Sequence, residues 1–242
     1  MRDARLPLNL PRPTVVPVPV VLLASGAGCA VIAGLALLLP LSPRGAAVAM
    51  AAFAGVGVTV GVLVRRRYPY AQFGACNLVT LIRAALVCVL LGALAQGLAA
   101  GWSVALVATL ALGLDGVDGW LARRSGLASG FGARFDIEVD SALALILSLH
   151  VLAGSAVGAE VLVLGLLRYA YVAAGVALPL LRGKLPPSQR RRIVCVIQIA
   201  ALIVLLTPLP DGGQAIVLAR LAALALIWSF AVDILSLYRT AR

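Results

Sequence analysis

The chain predicts an all-α, polytopic membrane bundle of about eight transmembrane helices, and three observations carry that prediction. Hydrophobic residues fill 62% of its 242 positions and charged residues only 12%, for a mean hydropathy of +1.07. The apolar residues run in stretches of about 20, the length that crosses a bilayer core as a helix. Strand-period alternation is absent, which argues against a barrel. A net charge of +11 would suggest nucleic acid in a water-soluble protein. Here its placement reads as membrane topology instead, and no nucleic-acid partner is expected.

In chain order, residues 1–14 hold Pro7, Pro11 and Pro13 among Arg2, Arg5 and Arg12. They are expected to form an extended basic tail near anionic lipid headgroups rather than a cleaved signal peptide. Spans at about 15–39 and 46–64 follow, with Arg44 in the short loop between them as their only charged residue. This hairpin offers no chemistry and reads as packing. After Arg65 to Arg67 and a turn at Pro69, CNLVTLIRAAL opens a third span at about 77–99. There Asn77, Thr80 and Arg83 recur every three residues and share a helix face. Asn77 suits a helix N-cap equally well. Arg83 lies one to two turns into the span, where an unpaired charge is expensive, so it must face a site or an acidic partner.

The next span, about 102–121, runs into LDGVDGWLARRSGLASGFGARFDIEVD, Leu114 to Asp140, which holds five of the nine acidic residues. Asp115 with Asp118, and Asp136 with Asp140, are three and four residues apart, so each pair occupies one helix face. Between them Ser125, Gly126, Gly130 and Gly132 suit a turn that returns one helix beside the other. Four carboxylates then converge, and like charges held together need a positive partner. Donors that are all oxygen select a hard cation, Mg2+ or Mn2+, of the kind bound together with substrate phosphates. A solvated acidic turn is the plain alternative, but the flanking sequence is apolar. Glu138, two residues from each of its aspartate neighbours, turns away from their face.

Spans at about 137–155, 157–181, 191–208 and 214–238 complete the chain. His150, the only histidine, sits too deep for the aspartate site and reads as a polar residue bonded within the bundle or near the outer interface. Arg168, inside LLRYAYVAAG, marks a functional site or pairs with a helix-facing carboxylate. The loop RGKLPPSQRRR supplies Lys184 and Arg190 to Arg192, which contact anionic lipid in part. Glu160 and Asp211 belong to outer loops. The last two spans, with Gln198, Arg220 and Asp233, are assigned no chemistry. Cys29, Cys76, Cys88 and Cys195 lack CxxC spacing and a histidine partner, so no zinc site is expected. Assigning alternate loops to opposite sides puts 16 of the 20 basic residues on one side. By the positive-inside rule that side is cytosolic, with both termini and the aspartate cluster.

Asp115, Asp118, Gly119, Ala122, Arg123, Gly132, Asp136 and Asp140 reproduce the pattern DxxDGxxARx8GxxxDxxxD. In this the chain resembles the CDP-alcohol phosphotransferases over about residues 70–240. The resemblance implies a six-helix core preceded by the extra hairpin, with residues 1–70 as tail and hairpin and 71–242 as the phosphotransferase domain. It implies an integral membrane enzyme, in a bacterial cytoplasmic membrane, with membrane lipids around it. That enzyme would transfer the phosphatidyl group of CDP-diacylglycerol to a soluble alcohol and release CMP. Two ions, Mg2+ or Mn2+, would be held by Asp115, Asp118, Asp136 and Asp140, with Asp140 also the base for the acceptor hydroxyl.

The family's NxxTxxR segment lies near its nucleotide site, which implies that Asn77 and Thr80 bind the CDP donor. Gly119, Arg123, Ser129 and Gly132 are expected there too: Gly119 for close backbone approach, Arg123 for the phosphates, Ser129 as a small hydroxyl. Arg83, Arg168, Lys184, Arg190 and Arg191 are the candidates for the acceptor, and they favour a phosphorylated polyol such as glycerol 3-phosphate or inositol phosphate. A non-phosphorylated acceptor or another CDP-alcohol donor is the alternative. A prenyltransferase also sets paired aspartates against a pyrophosphate, but without GxxAR after the second aspartate. A cation-binding transporter would place such charges near mid-membrane, in repeated halves. Homodimers through the membrane are common in the family, though nothing in this sequence demonstrates one.

Overall fold

A computed structural model describes residues 18–68, 70, 72–125, 129–183 and 188–240. The side chains of Asp118 and Arg123 lie outside the described residues, as do Lys184 and the basic tail. The described chain is all-helical, with no strands. Eight α-helices follow in order: α1 (Val18–Leu38), α2 (Pro43–Arg67), α3 (Ala75–Ala95), α4 (Trp102–Ser125), α5 (Gly130–Gly154), α6 (Leu162–Ala177), α7 (Gln189–Leu206) and α8 (Gly212–Thr240). Two short 3-10 turns, Ala159–Val161 and Pro179–Arg182, flank α6.

Among the described residues six helices, α1, α2, α3, α5, α8 and α6 with its preceding turn, are long and apolar enough to cross a membrane. The two others differ for a chemical reason. Helix α4 is apolar only over Trp102–Val117 before its acidic end, and α7 begins on Arg190 to Arg192.

Local sequence sets the helix starts. Ser42 caps α2, its hydroxyl accepting from the Gly45 amide at 3.2 Å, and Pro43 occupies the first turn, where its missing N–H costs nothing. Arg44 therefore lies inside α2 rather than in the expected loop. Helix α3 starts two residues before Asn77, after Gly74 at φ 77°, a backbone angle that glycine adopts without strain. Asn77 is thus not its N-cap, contrary to one sequence reading.

Helix α3 is the hub, with α1, α2, α4 and α5 packed around it. The backbones of α2 and α3 touch where Gly45 meets Gly92; a Cβ on Gly45 would lie 2.8 Å from the Gly92 carbonyl oxygen. Gln96 joins the same two elements. Its Oε1 accepts from the Ser42 amide at 2.6 Å and its Nε2 donates to the Pro40 carbonyl at 3.0 Å. At the far end of α5, buried His150 sets its ring nitrogens 2.7 Å from the Ala99 carbonyl and 2.9 Å from that of Leu90. His150 is thus bonded within the bundle, as its sequence position suggested. In the second half of the fold α6 packs on α5, α7 on α4 and α5, and α8 on α6 and α7, and the site lies between the halves.

Candidate active site

The Asp136 and Asp140 side chains leave one face of α5, and Asp115 comes from the polar end of α4. One carboxylate oxygen from each can be chosen so that all three lie within 4.8 Å of one another. Behind them stands Arg83 of α3, fully buried at 0% exposure, while the three carboxylates are 19 to 36% exposed. Its Nη1 lies 3.1 Å from Asp115 Oδ1 and 2.5 Å from Asp136 Oδ1, and its Nη2 pairs with Asp140 Oδ1. Its Nε donates to the Ala111 carbonyl of α4 at 3.2 Å. Three hard oxygen donors at this spacing suit a small divalent cation, and they do not suit a soft one.

The carboxylates open into a cavity of about 780 Å³ between α4, α5, α6, α7 and α8. Gly119 and Gly116 of α4 lie on its wall, and so do Arg168, Arg191 and Arg192. Arg168 Nη2 donates to Glu138 Oε1 at 2.5 Å. Asp233 of α8 receives both Arg190 and Arg191, the latter at 3.2 Å, and Arg190 also donates to the Ser229 hydroxyl at 3.0 Å. A second cavity, of about 830 Å³ on the opposite face of α5, is lined mainly by apolar side chains and includes none of the clustered aspartates.

Several expected site residues also make contacts that hold the fold. Asn77 is buried and donates through Nδ2 to the Tyr68 hydroxyl at 3.0 Å and to the Phe73 carbonyl. Thr80, also buried, donates to the Cys76 carbonyl at 3.0 Å. Neither lines the aspartate cavity. Ser129 is the N-cap of α5, accepting from the Gly132 amide at 3.0 Å. Gly132 passes so close to Asn77 that a Cβ there would sit 2.7 Å from Asn77 Oδ1.

Tyr68 closes this network. Its hydroxyl lies 2.8 Å from the Phe73 carbonyl and its ring meets Phe131 edge-on at 5.7 Å. Burial pushes its hydroxyl pKa up to about 12. The residues before α3 are thereby clamped to the first turn of α5, and so fix the helix that carries two of the aspartates.

Arg83 is spent on the carboxylates rather than turned toward an acceptor. Asp233, Ser229, Gln198 and Arg192 on the cavity wall were not anticipated. The signal for Asp233 was available: a charge inside an apolar span needs a partner, and Arg190 and Arg191 are that partner. Among the described residues no buried side-chain nitrogen or oxygen lacks a hydrogen-bond partner.

Fold and site together define an integral membrane protein with a carboxylate cluster able to hold a divalent cation on the wall of a cavity between the helices. The chain belongs to the CDP-alcohol phosphatidyltransferase family, whose model matches residues 73–234. It is therefore a phosphotransferase of phospholipid biosynthesis, acting on a CDP-alcohol donor and an alcohol acceptor in the membrane. The family generally uses a divalent metal. The match covers α3 to most of α8 and leaves α1 and α2 outside. No curated protein and no solved structure matches the chain.

Proposed function

We propose that the protein transfers the phosphatidyl group of CDP-diacylglycerol to a soluble phosphorylated polyol, such as glycerol 3-phosphate or an inositol phosphate, and releases CMP. The observation that carries this reading is one cavity joining the aspartate cluster to Arg168, Arg191 and Arg192. Asp115, Asp136 and Asp140, with Asp118 from the sequence motif, would hold two divalent ions, Mg2+ or Mn2+. When bound, the ions offset charge on the pyrophosphate and on the departing CMP.

The protein's own groups do the rest. Asp140 takes the proton of the acceptor hydroxyl, whose oxygen bonds to the phosphorus of the lipid phosphate while the bond from that phosphorus to CMP breaks. Gly119 on the cavity wall gives the nucleotide room at the backbone. Arg168 supplies a cation for the acceptor's phosphate. Its pair with Glu138 is 61% exposed on the carboxylate side, and exposed pairs contribute only ~0–1 kcal/mol. A phosphate dianion can therefore take Glu138's place. The cluster would face the cytosol of a bacterial cell, where water-soluble acceptors reach it, in line with the basic residues on that side.

The test is CMP release by purified protein with CDP-diacylglycerol and Mg2+, run with glycerol 3-phosphate, inositol phosphate, free inositol, serine and buffer alone. Release stimulated by one of the two phosphorylated acceptors supports the reading. Stimulation by inositol or serine alone would refute the phosphorylated acceptor, and silence from folded protein would refute the pairing of this donor with these acceptors.

A further inference from the structure

Three carboxylates brought together on two helices repel one another, and the protein has to assemble them before any ion can enter. Arg83 comes from a third helix, is sealed from solvent and reaches all three. Its Nε bond to the Ala111 carbonyl fixes the plane of the guanidinium fork. Such a side chain has no path to a substrate, and its charge cannot be titrated away. Arg83 offsets one of the three described carboxylate charges and leaves the rest of the cluster's negative charge for divalent cations.

We propose that Arg83 is the resident counter-cation of the cluster, a positioning residue that assembles Asp115, Asp136 and Asp140 in the ion-free protein and stays paired with them when the site is loaded. The inference rests on the divalent-ion reading of the cluster. It explains why a charge is carried into the most buried helix of the bundle. It also assigns Arg83 a role apart from the acceptor and the nucleotide.

The consequence is a stability that depends more steeply on divalent ions when Arg83 is absent. Wild-type protein, Arg83→Gln and Arg83→Lys are purified in detergent and unfolded thermally with EDTA and with Mg2+, while Mn2+ binding is read by electron paramagnetic resonance. Wild type should gain modestly in Mg2+, since an ion that binds only the folded protein stabilises it. Arg83→Gln should unfold well below it in EDTA and recover most of the loss in Mg2+, a several-fold larger response to the ion. Arg83→Lys keeps the charge but not the fork, and should fall between.

Should Arg83→Gln not fold, Arg83→Lys decides: a Mg2+ response above wild type supports the proposal, and one equal to wild type overturns it. Equal loss for Arg83→Gln in EDTA and Mg2+, with Mn2+ still bound by wild type, makes Arg83 a plain structural residue and overturns the proposal alone. If wild type fails to bind Mn2+, the divalent-ion reading itself falls, and the proposal with it.

Discussion

Gly132→Ala tests how the first turn of α5 positions the aspartates. The added Cβ would sit 2.7 Å from Asn77 Oδ1 and 3.3 Å from Ser129 Oγ, where ordinary contact begins at 3.4 Å. About 0.7 Å must therefore be found between α3 and α5. Asn77 cannot easily yield it, since its Nδ2 is held by Tyr68 and Phe73. The movement falls on α5, where Asp136 and Asp140 stand four and eight residues further along the same face. Overpacking of this size costs roughly 1–3 kcal/mol, and a shift approaching 1 Å at reacting groups lowers turnover roughly 10- to 100-fold.

Thermal unfolding and CMP release measure the two effects, and Asn77→Ala supplies the control. That variant removes the opposing oxygen, at about 1–3 kcal/mol for the partners it strands. Gly132→Ala should then be nearly neutral, with a coupling of at least roughly 1 kcal/mol between the two changes. Additive effects in the double variant would refute the steric reasoning and favour direct contact between Gly132 and the nucleotide.

Asp140→Asn should abolish CMP release while calorimetric titration still detects donor binding; lost binding would count against its role as base. Asp233→Ala removes the carboxylate shared by Arg190 and Arg191, which are 21 and 31% exposed, while Arg190 keeps Ser229, so the cost should be about 2–3 kcal/mol, below the ~3–5 of a fully buried pair. An unchanged melting temperature would show that the cluster contributes nothing to stability. Tyr68, with its pKa raised by burial, loses protons in the unfolded state first as pH rises. Stability should therefore fall between about pH 10 and pH 12, and Tyr68→Phe should flatten that fall. An equal slope in both proteins would place the titrating group elsewhere.

The helices were legible because apolar runs of bilayer length have few alternatives to a helix. Asp136 and Asp140 share a face of α5 as their four-residue spacing required, since helix periodicity is a local property, and Asp115 meets them from α4. What local sequence does not encode is which helix lies beside which. Arg83 could be read as needing an acidic partner, yet its choice of both α5 aspartates depends on α3 packing against α5, more than 50 residues away in sequence. The bond between Asn77 and Tyr68 is illegible for the same reason: the tyrosine belongs to the preceding loop and presents no pattern of its own. Asp233 was passed over because the two arginines it serves were assigned wholly to lipid and acceptor.

The sealed position of Arg83 bears on how the protein is made. Its helix leaves the ribosome before any of its three carboxylate partners, with Asp136 and Asp140 following 53 and 57 residues later. Until then α3 carries a naked charge whose insertion alone costs about 2.5–3.5 kcal/mol when the arginine is near mid-helix. Release of α3 into lipid should accordingly wait for α4 and α5, so that the clustered carboxylates also complete the passport by which the central helix enters the bilayer.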